Sequence, residues 1–277
     1  CEVTGADGAP MKKAFIREVV PGELVEVEIE EEKKNYLEAR LTRIIEASPA
    51  RLVPPCPLFG RCGGCDLQHM EIAAQRQAKF EMVKDTLRLH GGLNPEEGFS
   101  LIGADLPQFQ YRKRIMLHCA PGGLIGFYRQ KSGEVVDTEN CLLAGDGINR
   151  VLRVLRSRAA ALVVCVSSIV LEEHEGELFV ALRLHDGDKA LMDVRPAVLQ
   201  IPAQEVPNIV VSQKRRIVYT RYRGSALENV EDFPFPVGHF SQINQAANDL
   251  LISTVTKEAT SPEVTDLYAG AGNFSLP

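Results

Sequence analysis

The segment LVEVEIE alternates apolar and acidic residues from Leu24 to Glu30. A period of two sends neighbouring side chains to opposite faces of an extended chain, so the pattern is that of a half-buried strand. Pro21-Gly22 marks a turn before it, and a second strand is expected over Tyr36 to Ile45. Short strands with polar turns predict a compact β-barrel unit over residues 14–47. Pro49, Pro54, Pro55 and Pro57 then interrupt regular structure and mark a boundary. From Asp66 to His90 the pattern turns helical. Phe80, Val83 and Leu87 share one face, and Gly91-Gly92 supply a stop.

Further along, the strand pattern returns. YRKRIMLHC alternates, while GLIGFYRQ and EVVD flank Lys131-Ser132-Gly133 as the arms of a hairpin would. A helix is expected over 147–162 and another near 189–200. Strands are expected over 163–171, 178–184, 208–213 and 216–222. This is an α+β middle region. HFSQINQAANDLLISTVTKEA has a polar start and a helical body, and EVTDLYAGAGNFSLP reads as strand, glycine-rich turn and the beginning of a helix. No internal repeat or low-complexity segment interrupts the pattern.

The chain has 277 residues, 45% apolar and 25% charged, enough for two domains or three small ones. No run of eighteen apolar residues and no basic-then-apolar leader is present, so neither a membrane partner nor secretion is expected. The first residue is Cys1 rather than Met, and the natural start is expected upstream. Net charge is −6, unusual for a dedicated nucleic-acid binder, but the distribution is uneven. Residues 1–50 carry 7 Lys+Arg against 11 Asp+Glu, and residues 101–160 carry 9 against 5. Basic clusters stand at Arg112-Lys113-Arg114, at Arg150, Arg153, Arg156 and Arg158, and at Lys214-Arg215-Arg216 with Arg221 and Arg223.

Seven cysteines, an odd number, with no secretory signal argue against a disulfide framework and for a reducing cytoplasm. Cys56, Cys62 and Cys65 fall within ten residues, with Gly63-Gly64 between the second and third. Glycines let the backbone fold tightly enough for thiolates to converge, and thiolates bind Zn²⁺ or iron–sulfur clusters. Both usually need four ligands. His69 is one candidate fourth for zinc, and Cys141, at the polar-to-apolar junction DTENCLL, is another. Cys119 and Cys165 lie in apolar strand patterns and are expected to be small core residues.

Asp266-Leu-Tyr-Ala-Gly270-Ala-Gly272 follows a short apolar stretch. Such a turn lets backbone approach a nucleotide-containing cofactor at the start of a helix. A dinucleotide, S-adenosylmethionine or a plain tight turn each account for it. In HFSQIN, Phe240 is a core candidate, and Gln242 and Asn244 are candidate helix caps.

Taken in order, PPCPLFGRCGGCDLQHM, YRKRIML, GFYRQKSGEVVDTENCLL, FSQIN and VTDLYAGAGNFSLP resemble the RNA (uracil-5-)-methyltransferase family. The closer likeness is to its iron–sulfur branch, which makes 5-methyluridine in large-subunit ribosomal RNA. The resemblance implies a multidomain fold of α/β and α+β parts. Residues 1–48 would be an OB-like TRAM barrel that lacks its first strand. Residues 49–235 would be an α+β [4Fe–4S] domain, with helix 68–92 a candidate to dock on the methyltransferase domain. Residues 236–277 would open a Rossmann-like S-adenosylmethionine domain. It also implies a [4Fe–4S] cluster on Cys56, Cys62, Cys65 and Cys141. Gln242, Tyr268 and Asn273 would contact S-adenosylmethionine, with Gly270 and Gly272 shaping its loop and Phe240 near the target base. Arg112, Lys113 and Arg114 are candidates for RNA phosphates, with a solvated strand edge the competing account. The acidic face of Glu28 and Glu30 is expected to point away from RNA.

The family chemistry adds a cysteine thiolate to uracil C6, giving an enolate whose C5 attacks the methyl donor. A carboxylate then removes the C5 proton, on a base taken out of its stack. By the resemblance, the nucleophile and that base lie well beyond the glycine turn. The 277 residues alone are therefore expected to be inactive, as a monomeric, cytoplasmic piece of an RNA-binding enzyme. The alternative is a non-enzymatic RNA-binding module with a structural zinc or iron–sulfur site.

Overall fold

The computed structural model describes residues 12–94, 98–214, 216–227, 242–261, 263–267 and 273–274. The chain divides into two compact units. One comprises Cys1–Gly60 and Cys65–Leu101, the other Arg61–Gly64 and Ile102–Pro277.

In the first unit, β1 (Ala14–Ile16), β2 (Leu24–Glu32) and β3 (Leu37–Glu46) form a sheet of order β1-β3-β2. The alternation in LVEVEIE does its expected work: Val25 and Val27 are half-buried while Glu26 and Glu28 are exposed. The centre of this sheet is small, formed by Ala14, Leu37 and Ala39 with Ile16 and Val27 against them. The expected barrel is a three-stranded sheet among the described residues, too few strands to close on themselves.

Helix α1 (Ile72–Gly91) follows. It starts six residues later than the sequence suggests, because Gln68 and Met70 are held in turns that present side chains inward. It ends as expected. Gly92 takes a left-handed conformation at φ 62° and its N–H caps the Leu87 carbonyl.

The second unit is built on an eight-stranded sheet of order β11-β10-β9-β8-β7-β4-β5-β6. Its strands are β4 (Arg114–Ala120), β5 (Leu124–Tyr128), β6 (Val135–Asp137), β7 (Val166–His174), β8 (Glu177–Leu184), β9 (Asn208–Gln213), β10 (Arg216–Tyr222) and β11 (Ser225–Ala226). The hairpin around Lys131-Ser132-Gly133 forms as expected, with β5 antiparallel to β6. Gly126 is required there, since a Cβ would fall 1.8 Å from the Val136 carbonyl oxygen. Among the described strands of this sheet only β8 and β9 run parallel, and a parallel pair needs a crossover. Helix α4 (Asp188–Leu199) supplies it.

Two further helices, α2 (Asp146–Arg156) and α3 (Ala159–Cys165), stand where one long helix over 147–162 is expected. The break falls at Ser157-Arg158, where the Ser157 hydroxyl and the Arg158 guanidinium both donate to the Val154 carbonyl. Such side-chain bonds compete with helix continuation. Strand β7 consequently begins at Val166 rather than 163. Helices α2, α3 and α4 all cover one face of the sheet. Ile148, Leu152, Leu155, Leu162, Val194 and Val198 close over Ile115, Leu117, Ile169, Leu171, Leu182 and Ile209.

Helix α5 (Gln245–Glu258) is the expected body after HFSQIN, and Asn244 caps it by accepting from the Ala247 N–H at 3.1 Å. The strand expected at EVTD does not form over residues 263–267. A strand persists only when a neighbour pairs with its backbone groups, and no other described strand lies alongside.

Candidate functional site

The thiols divide by environment. Cys165 is fully buried, its sulfhydryl donating to the Ala161 and Leu162 carbonyls. Burial, helped by Cys165 beside it, pushes the Cys119 thiol up to about 12. Both are therefore inert core thiols, as expected, though Cys165 ends helix α3 rather than lying in a strand. Cys56, Cys62, Cys65 and Cys141 are in no disulfide and only partly buried.

Within the first unit, the Cys56 N–H donates to Gln68 Oε1 at 3.3 Å, so the Gln68-His69 tail folds back on the loop. His69 is buried, tilted against the Phe59 ring at 5.6 Å, with Nε2 3.3 Å from the Val19 carbonyl. Its Nδ1 is buried with no hydrogen-bond partner.

In the second unit, residues 61–64 dock on the β5–β6 hairpin. Cys62 bridges to Arg129, and the Gly63 N–H donates to the Tyr128 carbonyl at 2.9 Å. A Cβ on Gly63 would sit 3.0 Å from that same oxygen, which is why the position is glycine. Cys141 is fixed from below by Asn149 of α2. Asn149 accepts the Cys141 N–H at 2.9 Å and returns its amide to the Cys141 and Ala144 carbonyls, both at 3.0 Å. Sequence reading gave no signal for this clamp, because its two ends are eight residues apart and one is backbone.

The stretch Gln110–Arg114 joins three expected site segments. On one side the Gln110 and Arg112 N–H groups donate to the Leu142 and Leu143 carbonyls, directly after Cys141. On the other, Arg112 bridges to Asn244, and the Lys113 N–H donates to the Ile243 carbonyl at 2.9 Å. The Cys141 loop, the basic stretch and the turn after Gln242 are thus side by side. The three cations differ. Arg114 faces buried Glu172 across β4 and β7 at 3.8 Å, so its charge balances a buried carboxylate. Arg112 and Lys113 are half-buried, and the Arg112 Nε is enclosed without a partner.

The other basic clusters are largely structural. Arg156 binds Asp137 at 2.5 and 2.8 Å and holds its carboxyl below the usual range. Arg221 is buried against the Ile201 and Val206 carbonyls, and Arg223 pairs with Glu177.

Of the expected cofactor residues, Gln242 is exposed just before the Asn244 cap. Asn273 exchanges two amide hydrogen bonds with Asn248 of α5, at 3.0 and 2.9 Å. Phe240, Tyr268, Gly270 and Gly272 lie outside the described residues. Among the described residues no three His, Cys, Asp or Glu side chains are gathered as a metal site, and no helix is long and apolar enough to cross a membrane.

The chain matches no protein-family model. Curated proteins similar to it include RNA methyltransferases. A 23S rRNA (uracil(1939)-C(5))-methyltransferase RlmD of Shewanella amazonensis is 31% identical over 96% of this chain and 62% of the relative. A protein of the same name from Azoarcus sp. is 29% identical, with 96% and 65% covered. An uncharacterized RNA methyltransferase of Aquifex aeolicus is 30% identical, with 96% and 64% covered. The chain therefore spans under two thirds of the length of these relatives. Among solved structures, the Pyrococcus abyssi tRNA (uracil-54, C5)-methyltransferase in complex with S-adenosyl-L-homocysteine matches 99% of this chain and 68% of that one, at a TM-score of 0.64 and 22% identity. The mixed α/β fold of this chain therefore resembles the fold of that structure.

Proposed function

We propose that the chain serves S-adenosylmethionine-dependent methylation of uracil C5 in RNA, with ribosomal RNA as the substrate. The observation that carries this is the junction at Gln110–Arg114, where backbone bonds set the Cys141 loop beside the turn that follows Gln242. Relatives named as 23S rRNA uracil-C5 methyltransferases align across 96% of the chain and so include this junction.

In this proposal Cys56, Cys62, Cys65 and Cys141 hold a [4Fe–4S] cluster. The donor set suits one: four partly exposed thiols in no disulfide, unlike buried Cys165 and the Cys119 thiol that burial pushes up. Metal binding draws ligands together and couples to folding, which gives the pinned backbones of Cys141 and Cys56 a purpose. Residues 1–48 act as the TRAM unit, 49–235 as the cluster domain, and 236–277 as the opening of the cofactor domain, where Gln242, Tyr268, Gly270, Gly272 and Asn273 face S-adenosylmethionine. When bound, that cofactor supplies the methyl group. The chain's own part is to orient the RNA through Arg112 and Lys113 and to keep Phe240 near the extruded base.

The test is iron and acid-labile sulfide per chain after anaerobic purification of the wild type, Cys141→Ser and Cys119→Ser. About four irons per chain are expected, lost in Cys141→Ser and kept in Cys119→Ser. Bound zinc, or indifference to Cys141, would overturn the ligand assignment.

A further inference from the structure

The helices cover one face of the eight-stranded sheet, and the other face carries a different surface. Met116 is 50% and Tyr128 43% exposed, and neither belongs to the core. His118 stacks on Tyr128 with ring centroids 3.6 Å apart and planes 15° from parallel. Cross-strand partners carry the row onward from His118 to Ser168 of β7, Arg183 of β8 and Ser212 of β9. Side chains at paired positions share a face, so exposed Arg183 stands roughly 10 Å along this row from His118.

We propose that this open face binds an unpaired RNA base, stacked on the Tyr128 ring, with Arg183 taking a neighbouring phosphate. The proposal rests on RNA being the substrate and adds where a second, non-reacting base is held.

Three observations favour a base over an apolar protein partner. The two rings already form a parallel stack, the geometry that a third planar ring extends, and bases in single-stranded RNA are held this way on aromatic side chains. Burial lowers the pKa of His118, so at neutral pH the imidazole is an uncharged aromatic ring with a π face to offer. Arg183 is exposed and makes no ion pair among the described residues, leaving a cation on the same face two strands from His118. Tyr128 is also fixed at its backbone, its carbonyl accepting from Gly63 of the thiol loop. Changing its side chain leaves that bond in place.

The experiment measures binding of an end-labelled single-stranded oligouridylate to the full chain by fluorescence anisotropy. In parallel, the same RNA carrying one 2-aminopurine reports stacking through quenching. Wild type should bind and quench. Tyr128→Ala should bind about ten-fold more weakly and lose the quench, Tyr128→Leu should behave like Tyr128→Ala, and Tyr128→Phe should match wild type. Arg183→Gln should weaken binding and lower the salt slope by about one, while Tyr128→Phe leaves that slope alone. Thermal melting of every variant guards against misfolding. Should the alanine variant fail to fold, the leucine–phenylalanine pair decides the matter.

If Tyr128→Leu binds and quenches like wild type, the stacking proposal falls and the RNA function stands. If wild type binds no RNA at all, both fall.

Discussion

Among the described residues, the three-stranded sheet of the first unit buries Ala14, Leu37 and Ala39, with Ile16 and Val27 packed against them, while the eight-stranded sheet of the second packs three helices onto a continuous layer of buried aliphatic residues. Between its strands the small sheet relies instead on charge. Arg43 meets Glu26 at 2.8 Å, Arg40 meets Glu28 and lies 3.5 Å from Glu30, and Lys12 meets Glu32 at 2.6 Å. All of the Arg40, Arg43, Glu26 and Glu28 side chains are more than half exposed. Exposed ion pairs are worth little, whereas each buried leucine contributes strongly. The comparison teaches that two sheets with similar backbone pairing have very different reserves of stability, and that the second can carry a rigid site.

The widest gap between the sheets should appear on hollowing each core. Leu152 of α2 is fully buried in the larger core. Leu152→Ala should cost about 2–5 kcal/mol, because the surrounding helices cannot collapse into the space. Leu37 is as well buried, at 1% exposure, yet its cluster among the described residues is two buried alanines with only partly buried Ile16 and Val27 against them. Leu37→Ala should sit at or below the low end of that range. Denaturant unfolding with amide exchange read separately in β7 and β3 would measure both. A larger loss at Leu37 would break the comparison.

How legible this was in the sequence depended on distance along the chain. Alternation in LVEVEIE and YRKRIMLHC, and the Gly92 stop, are local signals, and the strands and the helix end follow them. The α2–α3 break is only partly local: beside its bond to the Val154 carbonyl, Arg158 donates to the Gln200 carbonyl at 2.7 Å, 42 residues away. The EVTD segment shows the converse, a strand pattern with no described partner to pair with. For the site, the apolar surroundings of Cys119 and Cys165 marked them as core residues, and the fold buries Cys165 and packs Cys119 against the same core. Residue type sorted the arginines badly. Arg114, Arg156 and Arg221 look alike in sequence, and only the fold shows that Glu172, Asp137 and two backbone carbonyls hold them.

A smaller effect is expected where the first unit does bury a charge. The Glu23 side chain is 1% exposed and is clasped by Arg51, whose other amine donates at 2.7 Å. The Val20 N–H adds 2.8 Å to the same carboxylate. The Arg51 hydrogen bond holds the Glu23 carboxyl down to about 2, from an ordinary 4.5. A lowered folded-state value means stability that is whole above pH 4.5 and drains as pH falls from there toward 2. Amide exchange in β2 and β3 should therefore accelerate across that window. Glu23→Gln should cost about 1–3 kcal/mol at neutral pH, the penalty of orphaning a charged donor, and should flatten the acid dependence. If exchange in β2 of Glu23→Gln still quickens between pH 4.5 and 2 as in wild type, another carboxylate is responsible.

The smallest expected effect is the most direct check on the role of surface charge. A double-mutant cycle on Glu28 and Arg40, cross-strand partners in β2 and β3, should return about 0.2–1 kcal/mol and shrink further in 1 M salt. The same cycle on Asp137 and Arg156 of the larger unit should return more. That pair is two-pronged at 2.5 and 2.8 Å, the arginine side chain is 19% exposed, and the Ile125 N–H also donates to the carboxylate. Its value should also change less with salt, because partly buried pairs are screened less. If the two cycles gave equal energies with equal salt dependence, exposure would not be what separates them. The small sheet would then owe more to its charge ladder than its geometry suggests.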